Sequence, residues 1–171
     1  KVEVVQGRGT FVTANSIEVE RDGARRTLTF DQAIIAAGSE PTRLPNLPDD
    51  PRVMDSTGAL QLADIPERLL VIGGGIIGLE MATVYYEIGS RVTVVELLDE
   101  LMFGTDRDIV KPLQRRIAKQ YEHIYLGTKV AGIEARPDGL HVAFEGGGAP
   151  AADRFDRVLI AVGRTPNGRN I

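Results

Sequence analysis

Hydrophobic and polar positions change rhythm twice along the chain. Residues 2–5, 17–20 and 27–30 are short runs, alternating or β-branched, parted by turn residues at 7–9 and at Asp22-Gly23. Such runs predict strands joined by tight turns. Ala33-Ile34-Ile35-Ala36-Ala37 is apolar throughout and ends at Gly38-Ser39. An unbroken apolar run of this length predicts a buried strand covered on both faces. Prolines then crowd the chain: Pro41, Pro45, Pro48, Pro51 and Pro66 are five of its nine. Each fixes φ and lacks an N–H donor, so residues 46–66 read as a connector, neither a regular helix nor a central strand.

After the connector the rhythm becomes that of an α/β unit. Leu69-Leu70-Val71-Ile72 predicts a buried strand, and residues 73–78 a glycine-rich turn. From 76 to 88, Ile77, Met81, Val84, Tyr85 and Ile88 recur at helical spacing, and Gly89 stops the helix. Residues 91–96 predict a second strand, which completes a βαβ unit. A second helix is expected with Thr105 as N-cap, Asp106 and Asp108 at its positive end, and Ile109, Leu113 and Ile117 as its apolar stripe. Pro112 lies inside that stripe and predicts a kink or a late start, since an interior proline costs about 3 kcal/mol. Strands follow at 124–126, 130–134, 141–144 and 155–161, with a turn at Pro137-Asp138-Gly139 and a loop at 145–150.

Composition narrows the chemistry. The 171 residues are 43% hydrophobic and 26% charged, an ordinary globular mixture that argues against disorder. The net charge of −4 offers no footprint for nucleic acid. No apolar run reaches the roughly 18–20 residues that span a bilayer, and the first residues are no signal peptide. There is no cysteine, so this chain carries no disulfide, no Cys-ligated metal and no thiol nucleophile. His123 and His141 are the two histidines, too few for a histidine-rich metal site; both read as solvated.

The glycine turn is the strongest chemical signal. Gly73-Gly74-Gly75-Ile76-Ile77-Gly78 fits G-x-G-x-x-G, between a buried strand and a helix. Gly73 suits the tight turn, Gly75 the close approach of a pyrophosphate, and Gly78 close packing of helix on strand. The helix N-terminus adds unpaired N–H groups and about half a positive charge. Glu96 stands at the end of the second strand, where a carboxylate can accept from both hydroxyls of an adenosine ribose. A 2′-phosphate would meet like charge there, and Leu97 and Leu98 supply no cation. NAD is therefore expected over NADP, although the turn alone does not separate NAD from FAD. Read blandly, the turn is a close-packed joint and Glu96 an exposed strand end. The coincidence of strand, helix, spacing and acid argues against that reading.

Three segments in one order carry a resemblance: Ile34-Ile35-Ala36-Ala37-Gly38-Ser39-Glu40-Pro41, residues 73–80, and Ala161-Val162-Gly163-Arg164-Thr165-Pro166-Asn167. Together they resemble the pyridine nucleotide–disulfide oxidoreductases, with Ala37 in place of a threonine. Residues 54–60 and 142–146 resemble the bacterial dihydrolipoamide dehydrogenase branch. Two sister branches, mercuric reductase and soluble transhydrogenase, and a non-catalytic NAD-binding module stand as alternatives. The resemblance covers the whole chain. It implies an α/β fold: a Rossmann-like NAD-binding domain over 67–167, with a parallel sheet and a β-meander. Residues 1–45 would be the end of an FAD-domain segment, and 168–171 the start of the return to it. NAD would be held by Gly73, Gly74, Gly75, Ile76, Ile77, Gly78 and Leu79, with Glu80 toward the nicotinamide, Glu96 at the adenine ribose, Val130 at the adenine and Gly163 lining the nicotinamide pocket. Ile76 stands where many relatives carry an aromatic gate over the flavin. FAD would meet Ala37, Gly38, Ser39 and Gly9. Taken residue by residue without the resemblance, Val130 and Ile76 read as packing, Glu80 as a surface acid and Arg164 as a turn anchor.

The resemblance further implies a cytoplasmic parent enzyme, a homodimer within a 2-oxoacid dehydrogenase complex with a lipoyl domain as substrate, and no membrane or nucleic-acid partner. Electrons would pass from dihydrolipoamide through a redox disulfide and FAD to NAD. The family's redox cysteines and its catalytic His-Glu pair match nothing in these residues, so the chain is expected to be an internal fragment, inactive alone.

Overall fold

The structure, a computed structural model, describes residues 1–169 and 171. It divides into two units: Lys1–Glu40 with Thr165–Ile171, and Pro41–Arg164. Asn170, within the segment 168–171, lies outside the described residues.

In the first unit β1 (Arg8–Thr13), β2 (Ser16–Arg21) and β3 (Ala24–Thr29) form an antiparallel meander in that order. Asp22 and Gly23 join β2 to β3 with φ of 52° and 80°, the paired positive values of a hairpin turn whose twist matches its strands. Phe11 and Phe30 meet edge to face, ring centroids 5.8 Å apart.

Two expectations fail in this unit. Residues 2–5 form no strand, and Val2 and Val4 are exposed. The apolar run 33–37 is neither a strand nor buried: Ile34 is 95% exposed. Apolar composition makes a strand burial-competent, but a ladder partner makes it a strand, and none of the described residues provides one. Gly9, expected near a turn, lies inside β1 opposite Val19. β4 (Ser39–Pro41) and β13 (Arg164–Pro166) mark the two places where the chain passes from one unit to the other.

The second unit meets the expected fold class. Its parallel sheet has the order β5-β12-β6-β7-β8, built from β5 (Val53–Met54), β6 (Arg68–Ile72), β7 (Arg91–Val95), β8 (His123–Tyr125) and β12 (Arg157–Ile160). The stretch read as a connector contributes β5 and a one-turn helix, α1 (Ser56–Ala59), capped by the Asp55 carboxylate, which accepts from the Gly58 N–H at 2.8 Å. Helices α2 (Ile76–Glu87) and α3 (Arg107–Ile117) connect β6 to β7 and β7 to β8. A second antiparallel meander, β9 (Thr128–Arg136), β10 (Gly139–Gly146) and β11 (Ala152–Phe155), connects β8 to β12.

Both faces of the sheet are covered, which explains the unbroken apolar run in β6. Leu69 and Val71 point to the helix layer, with Leu79, Ala82, Tyr85, Val92 and Val94. Leu70 and Ile72 point to the meander layer, with Leu140, Val142, Phe144 and Phe155. The strand expected over 155–161 is interrupted at Asp156, whose carboxylate and N–H pair with the N–H and carbonyl of Arg68 at 2.8 and 2.9 Å.

Each helix buries only part of its expected stripe: Tyr85 and Ile117 are buried, and Met81 and Leu113 pack against the core. In α2 the buried residues are Gly78, Leu79, Ala82 and Tyr85, while Ile88 is exposed and Ile77, Met81 and Val84 are half-buried. The contact at Gly78 draws that face of the helix onto the sheet. In α3 Asp106, not Thr105, is the N-cap. Val110 and Ile117 are buried, whereas Ile109 is 64% exposed. The helix does not start late: it runs from Arg107 through Pro112, which sacrifices one backbone donor. None of the described helices is long and apolar enough to cross a membrane.

Candidate functional site

The glycine turn sits where β6 ends, at the centre of the parallel sheet. Strands β7 and β8 continue to one side and β12 to the other, so the strand order reverses there. In open parallel sheets this reversal opens a crevice at the carboxyl ends of the strands.

Each glycine meets a different constraint. Gly73 has φ of 113°, and its N–H donates to the Val95 carbonyl at 2.8 Å. A Cβ on Gly73 would stand 2.3 Å from the Ala161 carbonyl oxygen. A Cβ on Gly78 would stand 2.0 Å from the Gly73 carbonyl oxygen and 3.3 Å from Val71 Cγ1. Here the helix presses backbone against backbone. A Cβ on Gly74 would run into Leu101 Cδ2 at 2.4 Å. Gly75, the N-cap of α2, is the exception: nothing lies within 4 Å of where its Cβ would be. Three glycines make room for protein and the fourth leaves room for something else.

Helix α2 has no side-chain cap, and its first N–H groups, from Ile76 onward, have no intrahelical acceptor. Positive partial charge and open space therefore coincide beside Gly75. These residues fit a pyrophosphate.

Glu96 follows β7 directly and is tied into the turn. Its Oε2 accepts from the Gly74 N–H at 2.7 Å and its Oε1 from the Leu98 N–H at 2.9 Å. Each oxygen keeps a second lone pair for a hydroxyl donor. Both Leu97 and Leu98 are exposed, and they bring no positive charge to the carboxylate.

The other expected residues distribute as follows. Ile76 is 60% exposed at the start of α2, Ile77 next to it is half-buried, Leu79 is buried and Glu80 is exposed. Val130, in β9 opposite Phe144, packs on the meander-side core. It lies two residues from Thr128, whose N–H donates to the Glu96 carbonyl at 2.9 Å. Gly163 has φ of 128° just beyond β12, and its carbonyl accepts from the Thr42 N–H at 3.0 Å. Arg164 donates to Ser56 Oγ at 3.2 Å. The second unit thus contains all the residues expected around NAD. Ala37, Gly38, Ser39 and Gly9 belong to the first unit. There Gly38 has φ of 72°, its carbonyl accepts from the Asn167 N–H at 3.0 Å, and the Ala37 carbonyl accepts from Asn167 Nδ2 at 3.2 Å.

The loop after Glu96 also shapes the site. Leu101 is fully buried against Gly74, and the Met102 N–H donates to the Gly74 carbonyl at 3.0 Å, with Met102 at φ of 54°. Arg107 holds this loop from the start of α3. The sequence offers only a lone arginine three residues after a glycine, which predicts none of these bonds.

The whole chain, residues 1–171, matches the pyridine nucleotide-disulphide oxidoreductase family, and the chain belongs to it. It is 51% identical to the dihydrolipoyl dehydrogenase of Vibrio cholerae, across 99% of this chain and 36% of that protein. It is 40% identical to the dihydrolipoyl dehydrogenase of Geobacillus stearothermophilus, across 98% of this chain and again 36% of the relative. The chain therefore spans about a third of the length of these relatives. Among solved structures, the HOCl-induced flavoprotein disulfide reductase RclA from Escherichia coli matches with a TM-score of 0.81 and 29% identity, over 99% of this chain and 38% of that one. A FAD-dependent pyridine nucleotide-disulphide oxidoreductase from Desulfovibrio vulgaris matches with a TM-score of 0.73 and 28% identity, over 96% of this chain and 44% of that one.

Proposed function

We propose that the second unit is the NAD-binding domain of a flavin-dependent dihydrolipoyl dehydrogenase. The observation that carries this is the open space at Gly75, set at an uncapped helix N-terminus with Glu96 bonded to the same turn. The dinucleotide, when bound, supplies a nicotinamide that accepts hydride. The chain's own residues bind and orient it. The N–H groups at the start of α2 receive the pyrophosphate, the Glu96 carboxylate accepts from the adenosine ribose, and Gly163 and Glu80 border the nicotinamide end. In the same reading Ala37, Gly38, Ser39 and Gly9 serve an FAD site in the parent, a cytoplasmic homodimer that takes a lipoyl domain as substrate. Identity of 51% to a dihydrolipoyl dehydrogenase, against 29% to RclA, favours this over a sister reductase.

Calorimetric titration of the chain with NAD⁺, NADP⁺ and FAD tests the reading. NAD⁺ should bind most tightly of the three. Tight FAD binding without NAD⁺ binding would overturn it. Dihydrolipoamide and NAD⁺ together should yield no NADH with this chain, because the sequence contains no thiol to receive the electrons.

A further inference from the structure

We infer that Arg107 is a positioning residue for the dinucleotide site, acting through the loop between Glu96 and α3. This rests on the NAD reading above and deepens it. The Arg107 guanidinium donates to three carbonyls of that loop: Leu101 at 2.9 Å, Met102 at 3.1 Å and Thr105 at 3.0 Å. Nε adds a second bond to Thr105 at 3.2 Å, and Nη1 pairs with Glu100 at 3.2 Å. One side chain thus gathers a segment with two left-handed residues, Met102 at φ of 54° and Gly104 at 82°. Left-handed backbone at a methionine is costly and persists only where neighbouring contacts enforce it.

Among the described residues, the held loop's polar contact with the turn falls on Gly74. Met102 N–H takes the Gly74 carbonyl, while Glu96 Oε2 takes the Gly74 N–H. Leu101 fills the space that a side chain on Gly74 would need. The peptide groups on either side of Gly74 are therefore fixed by the loop and by the carboxylate expected at the ribose. Gly75, the residue proposed to admit the pyrophosphate, comes next. Release of the loop frees the Gly74 carbonyl and removes one of the restraints on both pyrophosphate and ribose contacts. Arg107 itself needs no contact with the nucleotide.

The test compares Arg107→Ala, Arg107→Lys and a stability control, Ser90→Ala, by calorimetry with NAD⁺ and with ADP, alongside thermal melts. Ser90 donates to the Pro66 carbonyl at 2.6 Å, before β6 and thus at the opposite end of the sheet from the turn. Arg107→Ala should weaken NAD⁺ and ADP by the same factor, about tenfold, since the loop acts on the half they share. Arg107→Lys should recover part of the loss, because an ammonium reaches fewer carbonyls than the guanidinium fork. Ser90→Ala should lower the melting temperature and leave both affinities unchanged. Hydrogen exchange at Met102 should accelerate in Arg107→Ala. If Arg107→Ala does not fold, the Lys variant carries the test, with a several-fold loss expected. Wild-type affinity in a folded Arg107 variant overturns the positioning role while leaving the NAD reading intact. Failure of the wild-type chain to bind NAD⁺ or ADP overturns both.

Discussion

Alanine at two glycines of one turn should separate fold from function. At Gly78 the new Cβ would lie 2.0 Å from a backbone oxygen, against an ordinary contact of more than 3.4 Å. Neither partner is a flexible side-chain end, so α2 must lift from β6. Gly78→Ala should cost about 3 kcal/mol, the upper part of the overpacking range. At Gly75 the Cβ meets nothing within 4 Å, and φ of −83° with ψ of −174° suits any residue. Alanine is a poorer N-cap than glycine by up to about 1 kcal/mol. The loss is offset by about 0.4–1 kcal/mol from restricting the unfolded chain. Stability should therefore change by less than about 1 kcal/mol. Affinity should not survive so well. The methyl group fills the open side of the turn and obstructs the N–H groups behind it. Losing one backbone bond to a charged phosphate, about 1.5–3 kcal/mol, is about a ten- to hundredfold loss of affinity. Urea unfolding and calorimetry on both variants read the two quantities. Unaltered NAD⁺ affinity in Gly75→Ala, or unaltered stability in Gly78→Ala, would rule out this division of roles between the two glycines.

Other consequences are open to the same measurements. Glu96→Gln retains one acceptor oxygen and places an NH₂ against either the Gly74 or the Leu98 N–H, so NAD⁺ should weaken and the discrimination against NADP⁺ narrow, as read by paired titrations. Tyr85→Phe removes the hydroxyl that donates to the Ala59 carbonyl at 2.9 Å in the core, and should cost about 1 kcal/mol in urea unfolding. Acid should weaken the fold in a predictable window. Side-chain bonds from Arg52 at 2.9 and 2.8 Å hold the Asp50 carboxyl at about 2, below its ordinary 3.8, and Arg68 similarly lowers Asp153. A depressed folded-state pKa stabilises above the unfolded value. For Asp50 that contribution should fade as pH drops from about 4 toward 2. Asp50→Asn and Asp153→Asn should each flatten the acid limb of a stability–pH curve.

What the sequence revealed follows from where the information lies. The unit from β6 to β7 was legible because strand, glycine turn, helix and acid are local and each has its own physical signature. The stripe of α2 was legible only in part, at Tyr85 and Met81, because Gly78, a residue with no hydrophobic weight, sets which face touches the sheet. The run 33–37 is exposed because burial depends on partners, and residues 2–5 form no strand for the same reason. Asp106 displaced Thr105 at α3 because two adjacent residues can both cap, and tertiary contacts of the preceding loop decide between them. That loop was illegible, since its shape is set by bonds from Arg107 to carbonyls, which every residue possesses. At the site, Gly75 and Glu96 were named from pattern alone, but the structure adds that Glu96 is bonded to the turn and that Gly75 is the one glycine of the turn with open space.

Docking of a dinucleotide on the turn after β6 can be followed residue by residue by backbone amide NMR of the 18.5 kDa chain during titration with NAD⁺. Shifts should concentrate at Gly74, Gly75, Ile76 and Ile77 and extend to Glu96 and Leu98, with none at Gly9 or Gly38. Shifts centred on Gly9 and Gly38, or none at the turn with NAD⁺ in large excess, would contradict it.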